Sequence, residues 1–213
     1  MAKFPNSPGV AALRRIEAST TTLDTGQRLA RIYYSRGEYP VRWNEFRHYG
    51  PVNARWDHHL PDAKGVPEVQ SRGIYYAASD AKTCLAEFFQ STRRIDRARQ
   101  APWLVVFELA RPLELLDVTG DFATRMGASM AIHSGSRTRA RGWARDLYLA
   151  FPDAHGVLYC SSMNAGKPAI ALNERAEKVG PFPRHPLFNR ALADDVLLDP
   201  LKHAAAKLGY ALR

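Results

Sequence analysis

The sequence predicts a single compact α+β domain with a central mixed β-sheet core flanked by helices. Short apolar runs typical of strands alternate with amphipathic stretches typical of helices along the 213 residues. With 46% hydrophobic residues, the chain can bury a sizeable core. No internal repeat or break in composition indicates a second domain. We therefore expect an N-terminal arm, residues 1–28, followed by one domain, residues 29–213.

The first third of the chain is expected to contain one strand between irregular segments. Residues 1–28 are mixed in composition, and we expect an irregular arm with a short helix. LARIYY (29–34) is rich in apolar and aromatic residues, which favours a strand. Residues 35–72 carry repeated Gly and Pro turn signals, which predict a long loop region. Loops of that length are often functional.

A strand followed by a capped helix is predicted next. GIYYAA (73–78) is an apolar and aromatic run that favours a strand. Ser79 or Asp80 can then cap a helix through about Gln90, because their side-chain oxygens accept hydrogen bonds from early backbone N–H groups. The expected unit is a strand, a tight turn and a helix.

Strands and helices also alternate through the rest of the chain. The predicted strands are PWLVVFELA (102–110), PLELLDVTG (112–120), GVLYCSS (156–162) and KPAIALNE (167–174). Residues 136–151 are expected to form a helix because Trp143 and Leu147 belong to an apolar series at three- to four-residue spacing. A last helix is predicted over 199–208, where an Asp-Pro pair suits the first turn. Residues 121–135 are left unassigned.

The charge and the cysteines restrict the class of protein. The net charge of +9 favours anionic partners, which include nucleic acid, membrane headgroups, acidic proteins and phosphorylated small molecules. Cys84 and Cys160 lie in apolar runs and are interpreted as buried thiols rather than a disulfide framework. No apolar run reaches the roughly 18 residues of a membrane span, and the start lacks the apolar segment of a secretory signal. We expect a cytoplasmic protein that does not associate with membranes.

Five side chains from distant segments are suited to catalysis or binding. They are Arg31, Arg55, Tyr76, Glu87 and Ser161. A guanidinium group matches phosphate oxygens with two parallel hydrogen bonds. The tyrosine and the glutamate flank the strand–turn–helix unit, which can fold both toward one cleft. Together the five groups can form a pocket for an anionic, ring-bearing substrate.

Each of these residues also has a structural interpretation. Glu87 can be a solvated helix residue, Tyr76 a core aromatic, and both arginines partners in surface salt bridges. Ser161 lacks a Gly-x-Ser-x-Gly elbow, which argues against a nucleophile. Ser161 can instead position a ligand through its hydroxyl, or it can be a turn serine at the end of a strand.

Other patterns give weaker signals. His58 and His59 face opposite ways in an extended chain and make a poor metal pair, so no metal site is predicted. Arg137, Arg141 and Arg145 would lie on one ridge of a helix. We interpret this ridge as solvated surface rather than a nucleic-acid-binding stripe. The chain has no P-loop and no Gly-x-Gly-x-x-Gly fingerprint.

Three segments together resemble the RES-domain family, named for its arginine, glutamate and serine. They are GIYYAASDAKTCLAEFF, RTRARGWARDLYLAFPDAHGVLYCSS and GKPAIALNERA. The family's motif residues match Arg31, Arg55, Tyr76, Glu87 and Ser161. The second arginine is followed by Trp56, as in the family's Arg-Trp or Arg-Phe pair. Ser162 is the alternative match for the serine.

The resemblance implies an ADP-ribosyltransferase-like fold and a toxin of a bacterial toxin–antitoxin pair that destroys NAD. Residues 29–213 would be the NAD-binding catalytic domain. Glu87, Tyr76 and Arg31 would be catalytic, and Arg31, Arg55, Tyr76 and Ser161 would bind NAD. Glu87 would stabilise the cationic ribose, and the arginines would hold the pyrophosphate. No cofactor beyond NAD as substrate is expected, with inorganic phosphate, water or a protein side chain as acceptor.

The expected partner follows from the same resemblance, whereas the alternative functions also draw on the basic charge of the chain. The expected partner is a cognate antitoxin of the Xre type. No direct nucleic-acid binding is expected, and the oligomeric state is left open. One alternative function is transfer of ADP-ribose to a macromolecule, and another is a non-catalytic, basic nucleic-acid-binding module.

Overall fold

The structure, a computed structural model, describes residues 3–213. The strands are β1 (Thr20–Leu23), β2 (Arg28–Tyr34), β3 (Arg47–Gly50), β4 (Glu68–Ala78), β5 (Arg94–Ile95), β6 (Pro102–Glu108), β7 (Leu113–Asp117), β8 (Gly156–Cys160), β9 (Pro168–Asn173), β10 (Phe188–Ala191) and β11 (Ala211–Leu212). The α-helices are α1 (Val10–Leu13), α2 (Ala81–Phe88), α3 (Phe122–Arg125), α4 (Arg137–Ala150), α5 (Glu174–Val179) and α6 (Leu198–Leu208). Short 3₁₀ turns cover Met130–Ile132 and Asp195–Leu197.

One mixed sheet organises residues 3–213. Its strand order is β1-β7-β8-β9-β4-β2-β6-β10, and β3 pairs with β4 beside this path. β7 and β8 run parallel, whereas the other neighbours are antiparallel. β5 and β11 form a separate parallel pair. The predicted α+β class with a central mixed sheet and flanking helices is confirmed.

The sheet is weakly joined in its middle. β2 and β4 are paired only at Ala30 and Ala78, whereas β2 pairs with β6 along its whole length. The earlier part of β4 pairs with β3 instead. Helix α2 lies at this junction, where the Cys84 thiol donates to the carbonyl of Ala30 at 3.0 Å. The separation of the two strands leaves room for a cavity beneath α2.

Two capped helices cover the same face of the sheet. Asp80 caps α2 by accepting from the Thr83 backbone N–H at 2.8 Å, as predicted for this position. Ser136 accepts from Arg139 N–H at the start of α4. Trp143 of α4 is fully buried, and the ring of Phe4 stacks on it at 6.5 Å. The N-terminal segment therefore packs against the domain.

Strands β1 and β3 and the start of β4 differ from the predictions. β1, which we expected to be irregular, forms an edge strand because β7 offers it a hydrogen-bonding partner. β3 and residues 68–72 lie in the region predicted as loop, and they pair with each other. These segments are polar, so no apolar alternation indicates them, and their backbone partners decide their conformation. No helix within residues 3–213 is long and apolar enough to span a bilayer.

Candidate functional site

A cavity of about 290 Å³ lies where β2, β4 and α2 meet. Ile32 of β2 and Ala78 of β4 contribute apolar wall, and α2 contributes Cys84 and Phe88. The wall also carries polar and aromatic groups, namely Asn53, Arg55, Tyr76, Glu87, Gln90, Ser91, Arg137 and Tyr159. Its volume is near the lower end of the range for ligand pockets, about 300–1,000 Å³. The cavity thus brings cations, one carboxylate and aromatic rings together.

Glu87 is oriented by the predicted serine. Ser161 is buried, and its hydroxyl donates to Glu87 Oε1 at 2.5 Å. Ser161 Oγ also accepts from the backbone N–H groups of Met163 at 3.2 Å and Asn164 at 3.1 Å, which direct its proton toward the carboxylate. Ser162 is exposed. Ser161 is therefore the serine that positions Glu87, and it contacts the carboxylate rather than lining the cavity.

Two tyrosines form the aromatic wall beside Glu87. The Tyr76 hydroxyl is buried and has no hydrogen-bond partner within residues 3–213. Tyr159 is also buried, and its ring lies 5.5 Å from that of Trp56. Burial raises the pKa of both phenols, so both are neutral at physiological pH. Two neutral phenol rings therefore line the cavity beside Glu87.

Arg55 lies in the loop between β3 and β4. Its Nη1 donates to the carbonyl of Gly135 at 2.8 Å and to that of Ile132 at 3.2 Å. The pKa of Arg55 is lowered mainly by burial, and the positive charge of Arg137 lowers it further. A guanidinium group remains protonated despite such shifts. The cavity wall therefore carries two cations close enough to repel each other.

A buried carboxylate holds the loop that carries Arg55. Asp57 is fully buried and accepts from Val52 N–H and Arg47 Nη2, each at 2.8 Å, and from His59 Nδ1 at 2.6 Å. Burial alone would raise the pKa of Asp57, but the hydrogen bond from His59 and the charge of Arg47 hold it well below its usual range. Val52 and His59 lie on either side of Arg55 in the chain. The ionised Asp57 carboxylate therefore holds both ends of this loop segment.

The adjacent histidines have separate partners. His58 Nε2 lies 3.3 Å from Glu174 Oε2, whereas His59 contacts Asp57. Burial opposes ionisation of Glu174, but hydrogen bonds from His58 and the Tyr148 hydroxyl lower its pKa to about 2. Within residues 3–213, no group of three His, Cys, Asp or Glu side chains could hold a metal ion. Both histidines are therefore structural partners of carboxylates.

Arg31 lies apart from the cavity, in contrast to the prediction that it would bind a substrate pyrophosphate. Its Nη1 donates to the carbonyl of Glu45 at 2.8 Å, and its guanidinium carbon lies 3.9 Å from the centre of the Tyr75 ring. The neighbouring Ile32 lines the cavity. Since successive side chains of a strand point to opposite faces, Arg31 is on the other face of the sheet. Its 6% exposure fits a buried structural role.

Arg137 and Gln90 line the cavity, and the sequence did not indicate either. Arg137 Nη2 donates to Gln90 Oε1 at 2.6 Å. Gln90 Nε2 in turn donates to the Glu87 carbonyl at 2.7 Å and lies 3.4 Å from Glu87 Oε2. The sequence predicts that Arg137 lies on a solvated ridge, because its helical spacing with Arg141 is typical of exposed surface. Nothing in the sequence distinguishes Arg137 from Arg141. Only the packing of α4 near α2 places Arg137, and not Arg141, on the cavity wall.

Both the sequence and the fold of the chain are similar to those of known proteins. The sequence model of the RES domain matches residues 28–194. The fold is similar to that of a chain in the crystal structure of the M. tuberculosis MbcT-MbcA toxin-antitoxin complex. The TM-score is 0.54 at 14% identity, covering 85% of this chain and 90% of that chain. This likeness is one of fold, and it agrees with the predicted α+β class.

No curated protein sequence matches the chain at a significant level. The RES-domain match, however, covers well over half of the 213 residues. It also includes every residue on which the predicted site depends, from Arg31 to Ser161. The chain therefore belongs to the RES-domain family.

Proposed function

We propose that this protein consumes NAD by cleaving the bond between nicotinamide and ribose. The observation that carries the proposal is the Ser161–Glu87 hydrogen bond, which fixes a lone carboxylate on the wall of a cavity with two guanidinium groups and two tyrosines. A fixed negative charge stabilises a cation that develops nearby, and guanidinium groups on the same cavity wall can bind phosphates. RES-domain membership supports the same substrate.

The chemistry of the bond explains why one carboxylate is sufficient. Nicotinamide in NAD is already a pyridinium, so it leaves as a neutral ring that keeps the electron pair of the broken bond and takes no proton. Most glycosidases need a second carboxyl group as an acid, because their leaving group must be protonated. Positive charge grows on the ribose as the bond breaks. Glu87 stabilises that charge, and an oxygen of phosphate, or of a water molecule that releases a proton to solvent, then bonds to the anomeric carbon.

The remaining groups hold the substrate. A cavity of about 290 Å³ suits the nicotinamide–ribose half, with the adenosine half outside it. Tyr76 and Tyr159 provide ring surface for nicotinamide, where stacking is worth roughly 0.5–1.5 kcal/mol beyond burial. Arg55 holds the phosphate side. Fixing these parts in one geometry turns an encounter into a unimolecular step.

Purified protein incubated with NAD labelled in its adenosine half tests the proposal directly. Reactions with and without inorganic phosphate are separated to measure nicotinamide, ADP-ribose and phosphorylated ADP-ribose. We expect nicotinamide release, and a product that depends on phosphate identifies phosphorolysis. Label on a macromolecule added as cell extract would instead identify transfer. Unchanged NAD under all these conditions would overturn the proposal.

Alanine substitutions of the two motif arginines should have different effects. Arg55→Ala removes a charge-assisted contact worth roughly 1.5–3 kcal/mol, so KM for NAD should rise about tenfold or more. Arg31→Ala should lower the melting temperature instead, because the Glu45 carbonyl and the buried Tyr75 ring lose their partner. Steady-state kinetics and thermal unfolding of both variants measure these effects. A tenfold rise in KM for a stable Arg31→Ala protein would restore the predicted pyrophosphate-binding role of Arg31.

The protein is further proposed to be the toxin of a toxin–antitoxin pair, neutralised by an antitoxin of the Xre type. Draining NAD would harm the cell that makes the enzyme, so a neutralising partner is required. A structurally similar chain comes from a toxin–antitoxin complex. The net charge of +9 suits a partner whose acidic segment covers the cavity. Such complementarity raises the association rate more than the affinity.

Occlusion by the antitoxin predicts that NAD and the antitoxin exclude each other. Association should slow as salt rises, whereas dissociation should change less, since screening acts mainly on the encounter. Calorimetric titration of NAD into the free protein and into the antitoxin-saturated protein measures the exclusion. Equal NAD affinity in the two titrations would rule out blockage at the cavity.

A further inference from the structure

The guanidinium group of Arg137 lies at the entrance of the cavity and lacks a charge partner. Salt bridges within residues 3–213 involve neither Arg137 nor Arg55. The partners of Arg137 are neutral: Gln90 Oε1 at 2.6 Å and the Asn53 carbonyl at 3.5 Å. Asn53 and Ser91, which also line the cavity, are exposed, so this side opens to solvent.

Two cations share the cavity wall with a single carboxylate, Glu87, so one positive charge stays uncompensated unless a ligand supplies negative charge. The two cations affect each other: the pKa of Arg55 is lowered mainly by burial and, to a smaller extent, by the charge of Arg137. A guanidinium has five N–H donors, and the two contacts of Arg137 use two of them. The remaining donors can meet a phosphate in the two-bond geometry that arginine favours.

We propose that Arg137 is a specificity-determining residue that binds the diphosphate of a dinucleotide substrate at the cavity entrance. Gln90 fixes the guanidinium and also contacts Glu87, so one amide sets the spacing between the phosphate site and the carboxylate. The enzyme then distinguishes NAD from pyridinium ribosides that carry no phosphate. The identity of the nucleotide rests on the proposed function.

Arg141 provides a matched control for Arg137. It lies one turn further along α4 and donates to Asn53 Oδ1 at 3.2 Å, but it does not line the cavity. Arg137→Gln and Arg141→Gln thus remove the same charge from the same helix. Arg137→Lys retains the charge without the planar fork. Gln90→Glu puts a competing carboxylate where Gln90 now accepts from Arg137.

Kinetics should be measured with NAD, nicotinamide mononucleotide and nicotinamide riboside, which carry two, one and no phosphates. Arg137→Gln should raise KM about tenfold or more for NAD, less for the mononucleotide, and less than about twofold for the riboside. Gln90→Glu should act in the same direction, and Arg137→Lys should be intermediate. Arg141→Gln should match the parent for all three. Equal effects of Arg137→Gln on NAD and the riboside would overturn the proposal.

Binding of ADP, measured by calorimetry, separates this inference from the proposed function. ADP carries the diphosphate without a bond to be cleaved. We expect Arg137→Gln to weaken ADP binding at least about tenfold, and Arg141→Gln to leave it unchanged. If the parent binds ADP in this way but consumes no NAD, the proposed function fails and the role of Arg137 stands. ADP binding that is absent in the parent or unaffected in Arg137→Gln would overturn the role of Arg137.

Discussion

Glu87→Gln should lower kcat for NAD cleavage by about 10²–10³ while the protein stays folded, because removing one transition-state stabiliser typically costs that much. Glutamine has the same shape, and its Oε1 can still accept the hydrogen bond from Ser161. The substitution therefore removes the charge without removing the contact. The loss should be in kcat rather than KM, since the ribose becomes cationic only as the bond breaks.

Initial rates of nicotinamide release measure this effect, and circular dichroism with thermal unfolding checks the fold. Glu68→Gln is a suitable control, because Glu68 is exposed at the start of β4 and away from the cavity. That variant should retain the parent's rate. A folded Glu87→Gln protein that releases nicotinamide at the parent's rate would exclude Glu87 as the stabilising carboxylate.

Asp57→Ala should destabilise the protein by about 3–5 kcal/mol, the usual cost of removing one member of a buried ion pair. The substitution leaves Arg47 Nη2, Val52 N–H and His59 Nδ1 without their acceptor. The loop between β3 and β4 would lose its main anchor, so the Arg55 side chain should also be displaced. We therefore expect a higher KM for NAD in whatever fraction of Asp57→Ala remains folded.

Urea unfolding of the parent, Asp57→Ala and Asp57→Asn at several pH values tests the energetics. The folded-state pKa of Asp57 is lowered from 3.8, so its ionised form contributes stability that is present above that value. This contribution is lost as the pH falls below 3.8 toward the folded-state pKa. The difference between the parent and Asp57→Asn should therefore be largest near neutral pH and shrink in acid.

Asp153→Ala, at an exposed position, should change the unfolding free energy by less than about 0.5 kcal/mol. It controls for the loss of one carboxylate from a basic protein. A cost below about 1 kcal/mol for Asp57→Ala at neutral pH, the average for an arbitrary substitution, would show that Asp57 does not anchor the loop.

Much of the fold was predictable because its signals are local. Asp80 and Ser136 begin helices that the sequence indicates, since a cap and the apolar spacing after it lie within a few residues. The apolar strands β2, β8 and β9 were predicted for the same reason. The polar strands β1 and β3 were not, because their conformation depends on hydrogen bonds to distant strands.

The residues of the site also divide into those that the sequence indicated and those that only the tertiary structure placed. The sequence alone indicated Arg55, Tyr76 and Glu87, through their residue types and their resemblance to the RES motif, and all three line the cavity. Tertiary structure decided that Ser161, 74 residues from Glu87, lies in hydrogen-bond contact with the carboxylate. It also places Arg137 on the cavity wall, at a position typical of solvated surface.

Arg31 shows the physical reason for this division. The composition of LARIYY determines that residues 28–34 form a strand, and the alternation of side chains determines that Arg31 and Ile32 face opposite ways. Alternation does not determine which of the two faces the cavity. That choice depends on the strands and the helix that pack against β2, and they place Ile32 in the cavity and Arg31 against Tyr75.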